Sequence, residues 1–112
     1  MNRVIVVTGG TGGLGSAVAK KFASAGDKIV VCYGSSDQKA ERLVKEIITG
    51  SGESICYKAD ITDYAQTQKM MNDIVSKWER IDALANCAGG GFLIFTDDGF
   101  FTQPAFMTFL NI

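Results

Sequence analysis

The sequence contains no histidine and a single proline in 112 residues. Without histidine the chain cannot itself form a Ser-His-Asp or Cys-His nucleophile, nor the common histidine zinc sites. Neither sign of charge dominates: 11 basic and 12 acidic residues are interspersed, for a net charge of −1. Nothing in that balance argues for a nucleic acid or an anionic membrane as partner. Long apolar runs are missing too. Stretches such as 29–33 reach only five residues, far short of a membrane span. Met1-Asn2-Arg3 before Val4 to Val7 is too short an apolar region for a signal peptide. Cysteine is sparse and odd in number, with Cys32, Cys56 and Cys87 each inside or just after an apolar run. Buried thiols in a reducing compartment fit this pattern better than disulfides or a metal site, so the expected location is cytoplasmic. No low-complexity tract occurs.

What is present is a regular alternation. Arg3 to Val7 is short, β-branched and apolar, as a strand buried on both faces should be. Leu14, Val18 and Phe22 then recur at helical spacing up to Gly26. Lys28 to Tyr33 is a second buried strand. Ser35 or Ser36 can cap the helix that follows, with Ala40, Leu43, Val44, Ile47 and Ile48 as its inner stripe. Ser54 to Ala59 is a third strand, less apolar and expected at an edge. Thr62 or Asp63 caps a third helix whose inner face carries Met71, Ile74, Val75 and Trp78. Ile81 to Cys87 is a fourth strand. Three strand–helix units and a further strand predict an α/β fold, a doubly wound parallel sheet with helices on both faces, in one domain. The strand order expected is 3-2-1-4, which leaves the fourth strand as an edge. Thr102 followed by Pro104 can open a last helix.

Residues 4 to 15, VIVVTGGTGGLG, run from four β-branched residues into five of the 13 glycines. A helix start presents unpaired N–H groups and a partial positive charge, which a phosphate satisfies if no Cβ blocks it. Gly9 would allow the turn, Gly13 the approach of a pyrophosphate, and Gly15 close packing of helix on strand. Three templates fit. Gly10, Gly12 and Gly15 match GxGxxG; Thr8, Gly9, Gly13 and Gly15 match TGxxxGxG; Thr8, Gly9, Gly12 and Gly15 match TGxxGxxG. A flexible glycine turn is the plainer alternative, and position directly after the opening strand argues against it.

TGGTGGLG, then ADI at 59–61, then NCAG at 86–89 resemble the short-chain dehydrogenase/reductase family, in order and at its spacing. The NCAG form is close to that family's NNAG and favours the TGxxxGxG register. The stretch VVCYGSS with its helix looks most like the 3-oxoacyl-carrier-protein reductase group. The resemblance implies a Rossmann-like nucleotide-binding domain over 1–112 and an oxidoreductase activity. That activity is hydride transfer between a nicotinamide cofactor and a carbonyl or alcohol substrate. It implies that Gly9, Thr11, Gly12, Gly13, Leu14 and Gly15 wrap the pyrophosphate. Asp60 and Ile61 would meet the adenine, and Asn86, Ala88 and Gly89 would support the sheet and line the ribose. Asn111 would be the family's catalytic asparagine, which helps hold a proton-relay water. NADP is the expected cofactor, with NAD the alternative. No acid stands at Tyr33-Gly34-Ser35-Ser36 to hold a ribose 2′-hydroxyl, and Ser35 and Ser36 can donate to a 2′-phosphate. Asp37 is the nearest acid, and Gly12 occupies a place often basic in NADP-using relatives. Cys87 departs from the family's asparagine and reads as a small buried thiol.

The family's chemistry also needs a serine and a Tyr-x-x-x-Lys pair, the lysine lowering the pKa of the proton-transferring tyrosine. Four residues after Tyr33, Tyr57 and Tyr64 stand Asp37, Ile61 and Gln68, so the pair does not occur here. The expectation is a truncated chain, the cofactor-binding half of a reductase, incomplete at its C-terminus. The alternative is a non-catalytic nucleotide-binding or partner-binding fragment. Relatives of full length are expected to be homo-oligomers. For this chain self-association is expected, because the fourth strand would be an apolar edge. In addition, 12 of residues 92–112 are hydrophobic.

Overall fold

The structure is a computed structural model that describes residues 3–87, together with the backbone of two strands at 93–96 and 99–101. Four strands and three helices follow the expected alternation, and two further strands come after it: β1 (Val4–Thr8), α1 (Gly13–Ser24), β2 (Lys28–Tyr33), α2 (Asp37–Thr49), β3 (Glu53–Lys58), α3 (Tyr64–Trp78), β4 (Ala83–Asn86), β5 (Leu93–Thr96) and β6 (Gly99–Phe101). Strands β3-β2-β1-β4 are parallel in that order.

All five residues of β1 are buried, which is why its sequence lacks the polar alternation of a one-sided strand. Its side chains divide by parity. Ile5 and Val7, with Ile29, Val31, Ala83 and Ala85, meet Val18, Ala19 and Phe22 of α1 and Leu43 and Ile47 of α2. Val4 and Val6, with Val30 and Cys32, meet Met70 and Ile74 of α3 on the opposite face. Two cores back to back place helices on both sides of the sheet and leave the C-terminal strand ends open between them.

The structure corrects three expectations. Strand β4 is not an edge: β5 pairs with it antiparallel, Leu84 opposite Phe95, and β6 pairs with β5. Backbone groups along an unpaired strand are costly when they cannot reach water, and a neighbouring hairpin satisfies them. In the helices, Ile48 and Val75 lie outside the cores, 53% and 46% exposed. Each is adjacent in sequence to a buried residue, Ile47 and Ile74, and stands about 100° further round the helix from it, away from the sheet. The helix expected from Thr102, with Asn111, lies outside the described residues, as do Ala88 and Gly89.

Candidate functional site

The site is built where β1 ends. Gly9 turns the chain with φ of +64°, a left-handed value that suits glycine. Gly10 N–H then donates to Cys32 O (3.2 Å), and Gly12 N–H to Gly9 O (3.2 Å), which ties the loop to β2 and to itself. A Cβ on Gly15 would lie 2.1 Å from Gly9 O, so α1 can seat on the end of β1 only with glycine there. A Cβ on Gly13 would meet nothing within 4 Å; that face of the helix start is open. The GxGxxG spacing also has structural content, because a Cβ on Gly10 would press to 2.8 Å on the Val31 side chain.

The three helix starts differ. Ser36 Oγ accepts from Lys39 N–H at the head of α2, and Asp63 Oδ1 accepts from Ala65 and Gln66 N–H at the head of α3. Gly12 heads α1 with no side-chain cap and no acid in the first turn. Its orphan N–H groups and partial positive charge therefore face open space beside Thr11, Gly12 and Gly13.

Adjacent to this loop, a cleft of about 310 Å³ is lined by Gly9, Cys32, Tyr33, Gly34, Ala59, Asp60 and Ile61, at the C-terminal ends of β1, β2 and β3. Asp60 closes an Asx turn: its Oδ1 accepts from Thr62 N–H (2.9 Å) and Thr62 Oγ–H (2.6 Å). Those bonds hold its carboxyl below the ordinary aspartate range. Ile61, 38% exposed, forms an apolar wall. On the other side of the loop, Thr8 Oγ–H donates to Asn86 Oδ1 (2.8 Å), and Cys87 N–H to Thr8 O (3.1 Å). Asn86 thus fastens β4 to β1 immediately beneath the loop. Cys87 is half-buried, and burial pushes its thiol up to about 11, as it does for Cys32, so both are protonated at neutral pH.

Charges near the end of β2 were not legible in the sequence. Tyr33 Oη–H donates to Asp37 (2.9 Å), and Lys58 Nζ, from the end of β3, stands 3.8 Å from the same carboxylate. The bond to Asp37 pushes the Tyr33 phenol up to about 12. Lys58 is 21 residues from Asp37, and only strand pairing brings them together. Ser35 and Ser36 lie between β2 and α2, next to this group.

A larger hollow, about 340 Å³, lies at the opposite end of the sheet among Lys20, Ala23, Ser24, Glu46, Ile47, Gly50 and Gly52. Doubly wound sheets bind ligands beyond the carboxyl ends of their strands, so the smaller cleft beside the glycine loop is the candidate. Among the described residues no three histidine, cysteine, aspartate or glutamate side chains group as metal ligands. Among them, too, no helix is long and apolar enough to cross a membrane.

Comparison with known proteins agrees with this geometry. Residues 3–112 match the family model described as short chain dehydrogenase. A short-chain dehydrogenase/reductase of Cryptosporiopsis is 34% identical over 104 residues, covering 93% of this chain and 39% of that protein. A 3-oxoacyl-[acyl-carrier-protein] reductase of Synechocystis is 37% identical over 87 residues, covering 78% and 35%. Among solved structures, a short-chain dehydrogenase/reductase from Serratia marcescens superposes with a TM-score of 0.74 at 34% identity, covering 80% of this chain and 38% of that one. A metagenomic short-chain oxidoreductase in complex with NADP gives 0.74 at 29% identity, covering 80% and 40%. The chain thus spans between a third and two fifths of the length of these relatives. With the glycine turn, the parallel four-strand order and the Asn86 fastening all in place, the chain belongs to the short-chain dehydrogenase/reductase family.

Proposed function

We propose that this chain is the nicotinamide-dinucleotide-binding portion of a short-chain dehydrogenase/reductase. The observation that carries this reading is the head of α1, left without a side-chain cap and open at Gly13, while α2 and α3 are capped by their own residues. The groups present fit a dinucleotide. Thr11, Gly12, Gly13 and Leu14 surround the helix start that would receive the pyrophosphate, and Gly9 and Gly15 shape it. The cleft at Asp60 and Ile61 takes the adenine. Ser35 and Ser36 flank the adenosine ribose, and Asn86, with Ala88 and Gly89 by family resemblance, the nicotinamide side. The bound cofactor supplies or accepts a hydride; in the whole protein the partner is a carbonyl or alcohol substrate. The residues of this chain bind and orient, and Asn111 keeps the proposed relay role that the resemblance implies.

NADP is the cofactor we favour. An acid that holds a ribose 2′-hydroxyl selects NAD, and the nearest acid, Asp37, already accepts from Tyr33 and faces Lys58. A second reading, a nucleotide-binding module without turnover, is favoured by one fact: the 112 residues contain no Tyr-x-x-x-Lys. Positioned general acids contribute roughly 10²–10⁴-fold in rate, so the isolated chain is expected to bind without reducing ketones.

Titration of NADPH and NADH into the wild type and Gly13→Val tests the site. A Cβ at this position meets nothing within 4 Å, so the melting temperature should hold within a few degrees while dinucleotide affinity falls more than tenfold. Equal affinity of the two proteins refutes the assignment. Ketone turnover by the pure chain, abolished by Gly13→Val, would instead establish an enzyme and dismiss the second reading.

A further inference from the structure

We propose that this chain holds a dinucleotide by its adenosine diphosphate half alone, so that ADP-ribose binds it as tightly as the nicotinamide cofactor does. The inference rests on the dinucleotide reading above for the adenosine side and departs from it at the nicotinamide.

A doubly wound dinucleotide fold consists of two βαβαβ halves, each suited to one mononucleotide, which meet where the strand order reverses. The first half is complete in this chain. β1, α1, β2, α2 and β3 follow one another, and β1 and β3 both pair parallel with β2. Its binding parts are the uncapped head of α1 and the cleft of Tyr33, Gly34, Asp60 and Ile61.

The second half has its strands in the right places and in the wrong directions. The order β3-β2-β1-β4-β5-β6 is that of a whole dinucleotide fold. Yet β5 runs antiparallel to β4, with Asn86 opposite Leu93 and Ala83 opposite Thr96, and β6 runs antiparallel to β5. Residues 87–92 alone join β4 to β5, and residues 97–98 alone join β5 to β6. A crossover between parallel strands takes about a dozen residues or more, usually with a helix among them. Neither connection is long enough for one.

Two consequences follow for a ligand. Binding groups in such sheets lie beyond the carboxyl ends of the strands. The carboxyl end of β5, at Thr96, lies beside Ala83 at the amino end of β4, on the side of the sheet away from the glycine loop. Next to β4 the ligand side therefore receives the amino end of a strand. No crossover helix between β4 and β5 can begin there either, so the second half has no counterpart of the α1 head to receive an anion. Asn86, at the carboxyl end of β4, spends its Oδ1 on Thr8 Oγ–H (2.8 Å). A dinucleotide thus meets built groups along its adenosine and pyrophosphate, and its nicotinamide extends past β4 into water.

Calorimetric titration of the full chain with NADPH and 2′-phospho-ADP-ribose, and with NADH and ADP-ribose, isolates the nicotinamide, which is what each second ligand lacks. A ring taken into a formed pocket strengthens binding by roughly tenfold to a hundredfold. Here the two members of each pair should agree within about threefold. The fluorescence of the reduced cofactor should keep its free-solution maximum at saturation, because the ring stays in water. A reduced cofactor preferred by more than that factor, or a blue-shifted emission on binding, overturns the inference while the dinucleotide reading stands. Failure of all four ligands to bind overturns both.

Discussion

The starts of α1 and α3 are made of the same backbone and finished in opposite ways. At α3, Asp63 bends back to accept two N–H groups, and Gln66 Nε2 donates to the second carboxylate oxygen (3.2 Å), so the helix end is closed by its own residues. At α1, Gly12 offers no side chain, although its backbone (φ −75°, ψ 170°) would suit a serine or aspartate cap. Stability alone does not explain that choice, since a cap contributes about 1 kcal/mol. On the reading proposed above, the α3 end serves the fold and the α1 end is kept for an external anion.

The largest effect belongs to the packing beneath the open end. Gly15→Val would drive a branched carbon into Gly9 O, and overpacking of this sort costs about 1–3 kcal/mol or more. Backbone oxygen cannot rotate away as a side chain can, so the upper end is expected. Chemical denaturation should show the loss, and a variant as stable as the wild type would mean that α1 does not seat on β1 as described.

Next in size is a change that makes α1 resemble α3. In Gly12→Asp the new Cβ would lie at an ordinary 3.5 Å from Gly9 O, and its carboxylate can cap the helix. Stability should rise by about a few tenths of a kcal/mol. Dinucleotide affinity should fall at least tenfold, because the cap occupies the N–H groups and repels phosphate. A capped α1 that binds as well as the wild type would break the comparison at its centre.

The smallest change is the converse. Asp63→Ala should cost about 1 kcal/mol of stability and leave dinucleotide affinity where it was. A binding loss in this variant would show that the α3 end serves the ligand as well, through the neighbouring turn at Asp60.

Much of this was legible in the sequence because the responsible residues are neighbours along it. The caps, narrowed by the sequence to Ser35 or Ser36 and to Thr62 or Asp63, the turn at Gly9 and the two-sided burial of Val4 to Val7 are set by adjacent residues and by the periods of helix and strand. The order strand, glycines, helix follows likewise from twelve consecutive residues, 4–15. Periodicity alone was less able to choose between side chains one position apart, as Ile48 beside Ile47 shows.

By itself, then, the sequence determined the alternating elements, their parallel order and the glycine-shaped head of α1, since each depends on short-range pattern or on a general rule of sheet topology. Only the tertiary structure decided what lies beside β4, because a strand's sequence does not name the partner that will take up its free N–H and C=O groups. Tertiary structure also decided the electrostatics of the site. Lys58 at the end of β3 meets Asp37 at the head of α2, 21 residues away in the chain. Charge interactions depend on separation in space, and residues far apart in the chain acquire that separation only once the sheet has formed.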